Sequence, residues 1–236
     1  LKPGDVLGLI GPSASGKSTL ARALVGIWPL AGGEVRLDGA MMDQWDREKL
    51  GRFIGYLPQD VELFGGTVRQ NIARFAEDAD DEKVIEAAKW AGVHEMILKL
   101  PEGYDTILGE LGSNLSAGQR QRVALARAIY GDPVLVVLDE PNSNLDAAGD
   151  AALIKAVRGM GERGQTVILI AHRPAALAAV DYILVLEGGM QKAFGPRDEI
   201  LQQLAAARQQ AMPQAPQAAP PGPQQAAPPV VTGGPS

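Results

Sequence analysis

The chain has 236 residues, 46% of them apolar, no cysteine, and a formal net charge of −6 at pH 7. Without cysteine there are no disulfides and no thiolate metal sites, and an acidic chain does not grip a nucleic-acid backbone by bulk charge, so no nucleic-acid partner is expected. No apolar run approaches the roughly 20 residues of a membrane-spanning helix, no signal peptide is recognisable, and the first residue, Leu1 rather than Met, reads as the start of a fragment or processed piece.

"DVLGLIG" (Asp5 to Gly11) predicts a buried strand running into a glycine turn, and "STLARALVGIW" (Ser18 to Trp28) a helix. "GEVRLDG" and "FIGYLPQ" predict short strands. From about Val61 to Tyr130 the pattern turns helical, with apolar residues three and four apart in "DEKVIEAAKWAGVHEMILKL". "VLVVLDE" (Val134 to Glu140) is a continuous apolar strand ending in two carboxylates. A helix, the strand "TVILIAH", and the strand pair "YILVLEGG" and "MQKAFG" follow. Strands alternating with helices predict an α/β fold with a mainly parallel sheet covered on both faces. Residues 1–60 and 131–205 are expected to form its core and 61–130 an inserted helical subdomain. The last segment, 206–236, turns into a Pro/Gln/Ala-rich stretch without charge from about Ala211 and reads as a disordered tail.

"GPSASGKST" is the first stretch that carries chemistry. Gly11, Pro12, Ser13, Ala14, Ser15, Gly16, Lys17, Ser18 and Thr19 fit G-x-x-x-x-G-K-[ST] between a predicted strand and a predicted helix. The backbone N–H groups of such a loop cradle phosphates, Lys17 reaches the β and γ phosphates, and the Ser18 hydroxyl ligates Mg²⁺. The loop implies a nucleoside triphosphate but does not separate kinase, GTPase and motor. Asp139 and Glu140, at the carboxyl end of a buried strand, stand where a parallel sheet places them beside that loop. Asp139 suits Mg²⁺ and Glu140 suits a general base that polarises water.

A second helix start, "SNLSAGQRQR" (Ser113 to Arg122), also has the form of an anion-binding N-terminus. "LSAGQRQRVALARAI" followed by "VLVVLDEPNSNLD" resembles the ATP-binding cassette (ABC) ATPases, a branch of the P-loop NTPases, over nearly all of Leu1 to about Leu204. The resemblance implies that Ser116, Ala117, Gly118 and Gln119 hold the γ-phosphate of an ATP bound to the other subunit of a head-to-tail homodimer. Ala117 replaces a glycine of the usual signature, which matters if that residue needs a positive φ. By the same resemblance Gln59 is a glutamine contacting Mg²⁺ and water, Asp146 in "SNLD" lies at the dimer interface, and His172 is the switch histidine on the γ-phosphate. His94 has no partner motif and reads as structural.

"LFGGTVRQNIA" and Glu110, just before the signature, are similar to exporters, in which the region of Glu110 touches the membrane domain. "LPQDVELFGGTVRQNIARF" and "LDEPNSNLD" resemble the type I secretion ATPases of the protease- and lipase-exporting branch. That likeness implies six membrane helices upstream in the same polypeptide, a periplasmic adaptor, an outer-membrane channel, and a place on the cytoplasmic face of the bacterial inner membrane. Family members stack adenine on an upstream aromatic residue. None of the ten residues before Gly11 is aromatic, so that residue and the first strands are expected outside this sequence. Alternatives are the ATPase of a lipid or drug exporter, a soluble ABC ATPase acting on DNA or ribosomes, and a P-loop kinase. The soluble ATPases carry coiled coils, zinc modules or tandem cassettes, and the kinase leaves "LSAGQ", "SNLD" and His172 unexplained.

Overall fold

Three of the longest apolar runs become the middle of one sheet. In the computed structural model, which describes residues 1–171 and 173–211, the strands β1 (Val6–Ile10), β7 (Leu135–Asp139) and β8 (Thr166–Ile170) are almost entirely buried. Near-continuous Val, Ile and Leu suit strands covered on both faces. Five shorter strands separate β1 from β7: β2 (Arg36–Leu37), β3 (Ala40–Met41), β4 (Ile54–Leu57), β5 (Gly66–Thr67) and β6 (Ile107–Leu108), the last pairing β5. After β8 come β9 (Tyr182–Glu187) and β10 (Met190–Pro196). The main sheet runs in the order β10-β9-β1-β8-β7-β4, parallel throughout except for the β9–β10 hairpin.

The register aligns the functional ends. Leu57 stands opposite Leu138, Asp139 opposite Ile170, and Leu9 opposite Ile170. The segments leaving β1, β4, β7 and β8 therefore emerge along one carboxyl edge, where ligands of open parallel sheets sit.

The α-helices of the described residues are α1 (Lys17–Leu24), α2 (Arg47–Phe53), α3 (Val68–Ile72), α4 (Asp81–Trp90), α5 (His94–Ile97), α6 (Ala117–Ile129), α7 (Ala147–Glu162) and α8 (Arg197–Ala211). Helix α6 is apolar because it is central: Val123, Ala124, Leu125, Ala126, Ala128 and Ile129 are all buried. It lies so close to β4 that a Cβ on Gly55 would stand 2.0 Å from the Ala128 carbonyl oxygen. Arg74, held at φ 57°, clamps the same junction. Its guanidinium donates to the carbonyls of Gly51, Ile54, Arg127 and Ala128. Burial, with the neighbouring Arg127, pulls its pKa down to about 10, so it stays charged at neutral pH.

Four details depart from the sequence expectations. The helix expected to Trp28 stops at Leu24, because Gly26 takes φ 74° and Trp28 turns back beneath the Arg22 guanidinium, 4.9 Å from the ring centre. "GEVRLDG" supplies only a two-residue strand, closed on β3 by Asp38 and Gly39, both with positive φ, as an Asp-Gly hairpin turn requires. The block 61–130 is not all helix, since β5 and β6 pair within it. The chain divides after Leu201, with the whole sheet in the first unit. Helix α8 continues to Ala211, so regular structure runs past residue 206, where the tail was expected to start. The rest of that expected tail, and His172, lie outside the described residues.

Candidate nucleotide site

The loop between β1 and α1 is built to present backbone donors. Gly11 is obligatory there, because a Cβ would meet the Leu186 carbonyl oxygen at 2.0 Å. Ala14 (φ 61°) and Gly16 (φ 95°) bend the chain into a cradle, and Gly16 starts α1 without any side-chain cap. The first N–H groups of α1 thus have no capping partner, and no acid in the first turn offsets the positive end of the helix dipole. Lys17, only 5% exposed, donates through Nζ to the carbonyls of Gly11 (3.1 Å) and Pro12 (2.9 Å).

Above this loop is a cavity of about 280 Å³, lined by residues 13–19 together with Gln59 and Glu140. Gln59 leaves β4 two residues after its end and donates through Nε2 to Glu140 Oε2 at 3.2 Å. Glu140 sits at φ 51°, a left-handed conformation that costs a non-glycine residue about 1–2 kcal/mol. Such local strain at a carboxylate facing a cavity is characteristic of functional sites. Its N–H is held by the Ile170 carbonyl (3.1 Å) and its carbonyl by Gln121 Nε2 (3.2 Å).

Asp139 is fully buried, and neither carboxylate oxygen has a hydrogen-bond partner at normal geometry. Burial raises its pKa above the ordinary 3.8. The Ser18 hydroxyl pulls the other way, Glu140 adds to the rise, and Arg22 and Lys17 oppose it. A raised carboxyl pKa means that ionised Asp139 costs stability at neutral pH. The cost is relieved as pH falls through that raised value, because the folded state then takes up a proton the unfolded chain does not hold. Asp139→Asn removes the buried charge. Without Mg²⁺ and nucleotide the variant is expected to be more stable, read as a higher Tm, and to lose Mg²⁺-dependent turnover. A fall in Tm would contradict the account of Asp139 as a buried charge that costs stability.

The second helix start does not join this cavity. Ser116 caps α6 through a reciprocal pair: its Oγ accepts from Gln119 N–H (3.3 Å) and its own N–H donates to Gln119 Oε1 (2.8 Å). Ala117 is the first helical residue and has no positive φ, so its methyl meets no backbone requirement for glycine. Gly118 does face one, since a Cβ there would lie 2.8 Å from the Asn144 carbonyl oxygen. Asp146 caps α7 by accepting from Gly149 N–H at 2.8 Å. None of Ser116, Ala117, Gly118, Gln119 and Asp146 lines the 280 Å³ cavity.

Sequence reading passed over Gln121. It is 2% exposed and bonds the Glu140 carbonyl, Ser143 Oγ (3.3 Å) and Asn144 N–H (3.0 Å), tying α6 to the turn after β7. Its one signal was a polar residue on the apolar face of a predicted helix. His94 lies outside the site, with Nδ1 2.8 Å from the Tyr104 hydroxyl. Burial, then Glu95, pushes that phenol up to about 12.

Residues 1–143 match the family described as ABC transporter. The chain belongs to the ABC transporter family. It is 60% identical over 209 residues to the type I secretion system ATP-binding protein PrsD of Rhizobium meliloti, covering 89% of this chain and 36% of that protein. It is 42% identical to the cyclolysin secretion/processing ATP-binding protein CyaB of Bordetella pertussis, covering 85% of this chain and 28% of the other. Among solved structures, a bacterial Atm1-family ABC exporter with ATP bound superposes with a TM-score of 0.79 at 34% identity, covering 90% of this chain and 38% of that one. The chain thus spans about a third of the length of these relatives. Among the described residues of this ABC transporter chain, no helix is long and apolar enough to cross a membrane.

The residues present fit the magnesium ion that accompanies ATP in this family. A buried carboxylate with two unpartnered oxygens beside a serine hydroxyl is the hard, oxygen-only donor set that Mg²⁺ accepts, with one or two protein carboxylates and the rest from phosphate and water. Asp139 and Ser18 would hold it, with Gln59 at the rim.

Proposed function

We propose that this chain is the ATP-hydrolysing motor of an exporter and that it works on Mg-ATP in a head-to-tail homodimer. The observation that carries the reading is the convergence of Lys17, Ser18, Gln59 and Glu140 on one cavity at the carboxyl edge of the sheet, with Asp139 buried beside Ser18. The uncapped start of α1 and Lys17 bind the phosphates. Mg²⁺, when bound, offsets phosphate charge. Glu140 takes a proton from the attacking water, Gln59 holds the Glu140 carboxylate in place, and His172 contacts the γ-phosphate. Each helix α6 offers its N-terminus, at Ser116 and Gly118, to the nucleotide on the partner, which accounts for a signature outside the cavity of its own chain.

The likeness to PrsD and CyaB favours protein export by a type I secretion route. On this reading a transmembrane domain in the same polypeptide carries the motor at the cytoplasmic face of the inner membrane, with a periplasmic adaptor and an outer-membrane channel as partners. A Lys17→Met substitution in the source organism tests it. Loss of particular polypeptides from the culture medium is expected. An unchanged medium with impaired lipid or drug efflux would favour the other exporter class.

A further inference from the structure

Helix α7 grips the segment that follows β8 at both of its ends. At the near end Arg173 Nη1 donates to Asp150 Oδ2 at 3.0 Å. At the far end Arg158 Nη2 donates to the Ala178 carbonyl at 2.8 Å. The two grips differ in kind. Arg158 meets a backbone carbonyl, as packing alone would require. Asp150 and Arg173 form an ion pair across 23 residues of sequence, and the Asp150 side chain is only 23% exposed. The other Asp150 oxygen, Oδ1, is buried and without a partner. A solvated surface acid would turn that oxygen to water, because a buried acceptor without a partner is costly.

The location gives the pair its interest. Asp150 lies in the first turn of α7, and its N–H bonds the carbonyl of Asp146, the residue that caps the helix. The turn before that cap is fastened to α6 by Gln121 and by the close approach of Gly118 to Asn144. Arg173, in turn, is the chain neighbour of His172. A continuous line of contacts therefore runs from the start of α6, through residues 143–146 and the first turn of α7, to the residue next to the candidate switch histidine.

We propose that Asp150 and Arg173 are positioning residues whose ion pair makes the segment after β8 and the Asp146 turn move as one body, so that closure on the partner and placement of the γ-phosphate contact occur together. The inference rests on the proposed ATPase reading. Neither Asp150 nor Arg173 lines the 280 Å³ cavity, so breaking the pair should lower the rate of the chemical step and leave ATP affinity alone.

Steady-state Mg-ATP hydrolysis by Arg173→Ala, Asp150→Asn, the double variant and the charge-exchanged Asp150→Arg/Arg173→Asp tests the latch. Each single variant is expected to lower kcat about fivefold, with KM for ATP within about twofold and Tm unchanged. The double variant should be no slower than either single one, because the partners act as a unit, and the exchanged pair should recover part of the rate. Multiplying losses in the double variant, a rise in KM that accounts for the loss, or single variants with wild-type kcat would each overturn the latch while leaving the ATPase reading intact. A wild-type protein without turnover would overturn both.

Discussion

Glu140→Gln should bind Mg-ATP with wild-type affinity and hydrolyse it at least about 100-fold more slowly, the scale of a lost general base. The substitution is nearly isosteric, and an amide can still pair with Gln59, whose Nε2 lies 3.2 Å from Glu140 Oε2. The backbone bonds that fix residue 140, to Ile170 and Gln121, do not involve the side chain. Stability should therefore change little and the loss should fall on kcat. Single-turnover hydrolysis with a parallel nucleotide-binding titration separates the two quantities. Turnover within a few-fold of wild type would remove Glu140 from the chemistry and leave it as a strained residue at a strand end.

The second large effect is on the framework. Gly55→Ala puts a methyl 2.0 Å from the Ala128 carbonyl oxygen, at the junction of β4 and α6. Neither backbone can yield cheaply: β4 is paired to β7 along its length, and the Ala128 carbonyl also accepts from Arg74. Overpacking against rigid backbone at such a point is expected to cost about 3 kcal/mol, which for a domain of this size lowers Tm by about 10 °C. Thermal unfolding followed by circular dichroism measures it. A shift below about 2 °C would mean that α6 can slide on the sheet, which would loosen the tie between the signature helix and the carboxylate turn.

Much of the fold was legible because its signals are local. Continuous Val/Ile/Leu runs bounded by glycine or acid gave β1, β7 and β8 at nearly their final bounds, and "GPSASGKST" gave a strand–loop–helix unit by spacing alone. What escaped depends on approach between distant segments. No local pattern marks Gln121 as the link between α6 and the turn after β7, Arg74 as a clamp on four carbonyls, or Gly55 as the site where two backbones nearly touch. The early end of α1 was in principle readable, since Gly26 and Pro29 interrupt the pattern, but the apolar run through Trp28 outweighed them. The signature residues could be recognised, yet their use could not be deduced from the single chain: Ser116 and Gln119 satisfy each other, and Asp146 caps its own helix. A solitary chain gives each of them a sufficient structural reason.

The central claim is that the site beside Asp139 and Glu140 is completed by α6 of a second copy. Mixing two inactive variants, Lys17→Ala and Ser116→Arg, tests it directly. In a head-to-tail dimer each mixed pair holds one site with both defects and one with neither. Half of the dimers are mixed, so the mixture should recover about a quarter of the wild-type ATPase rate. A mixture as inactive as its two components, in a sample shown to form mixed dimers, would contradict the account.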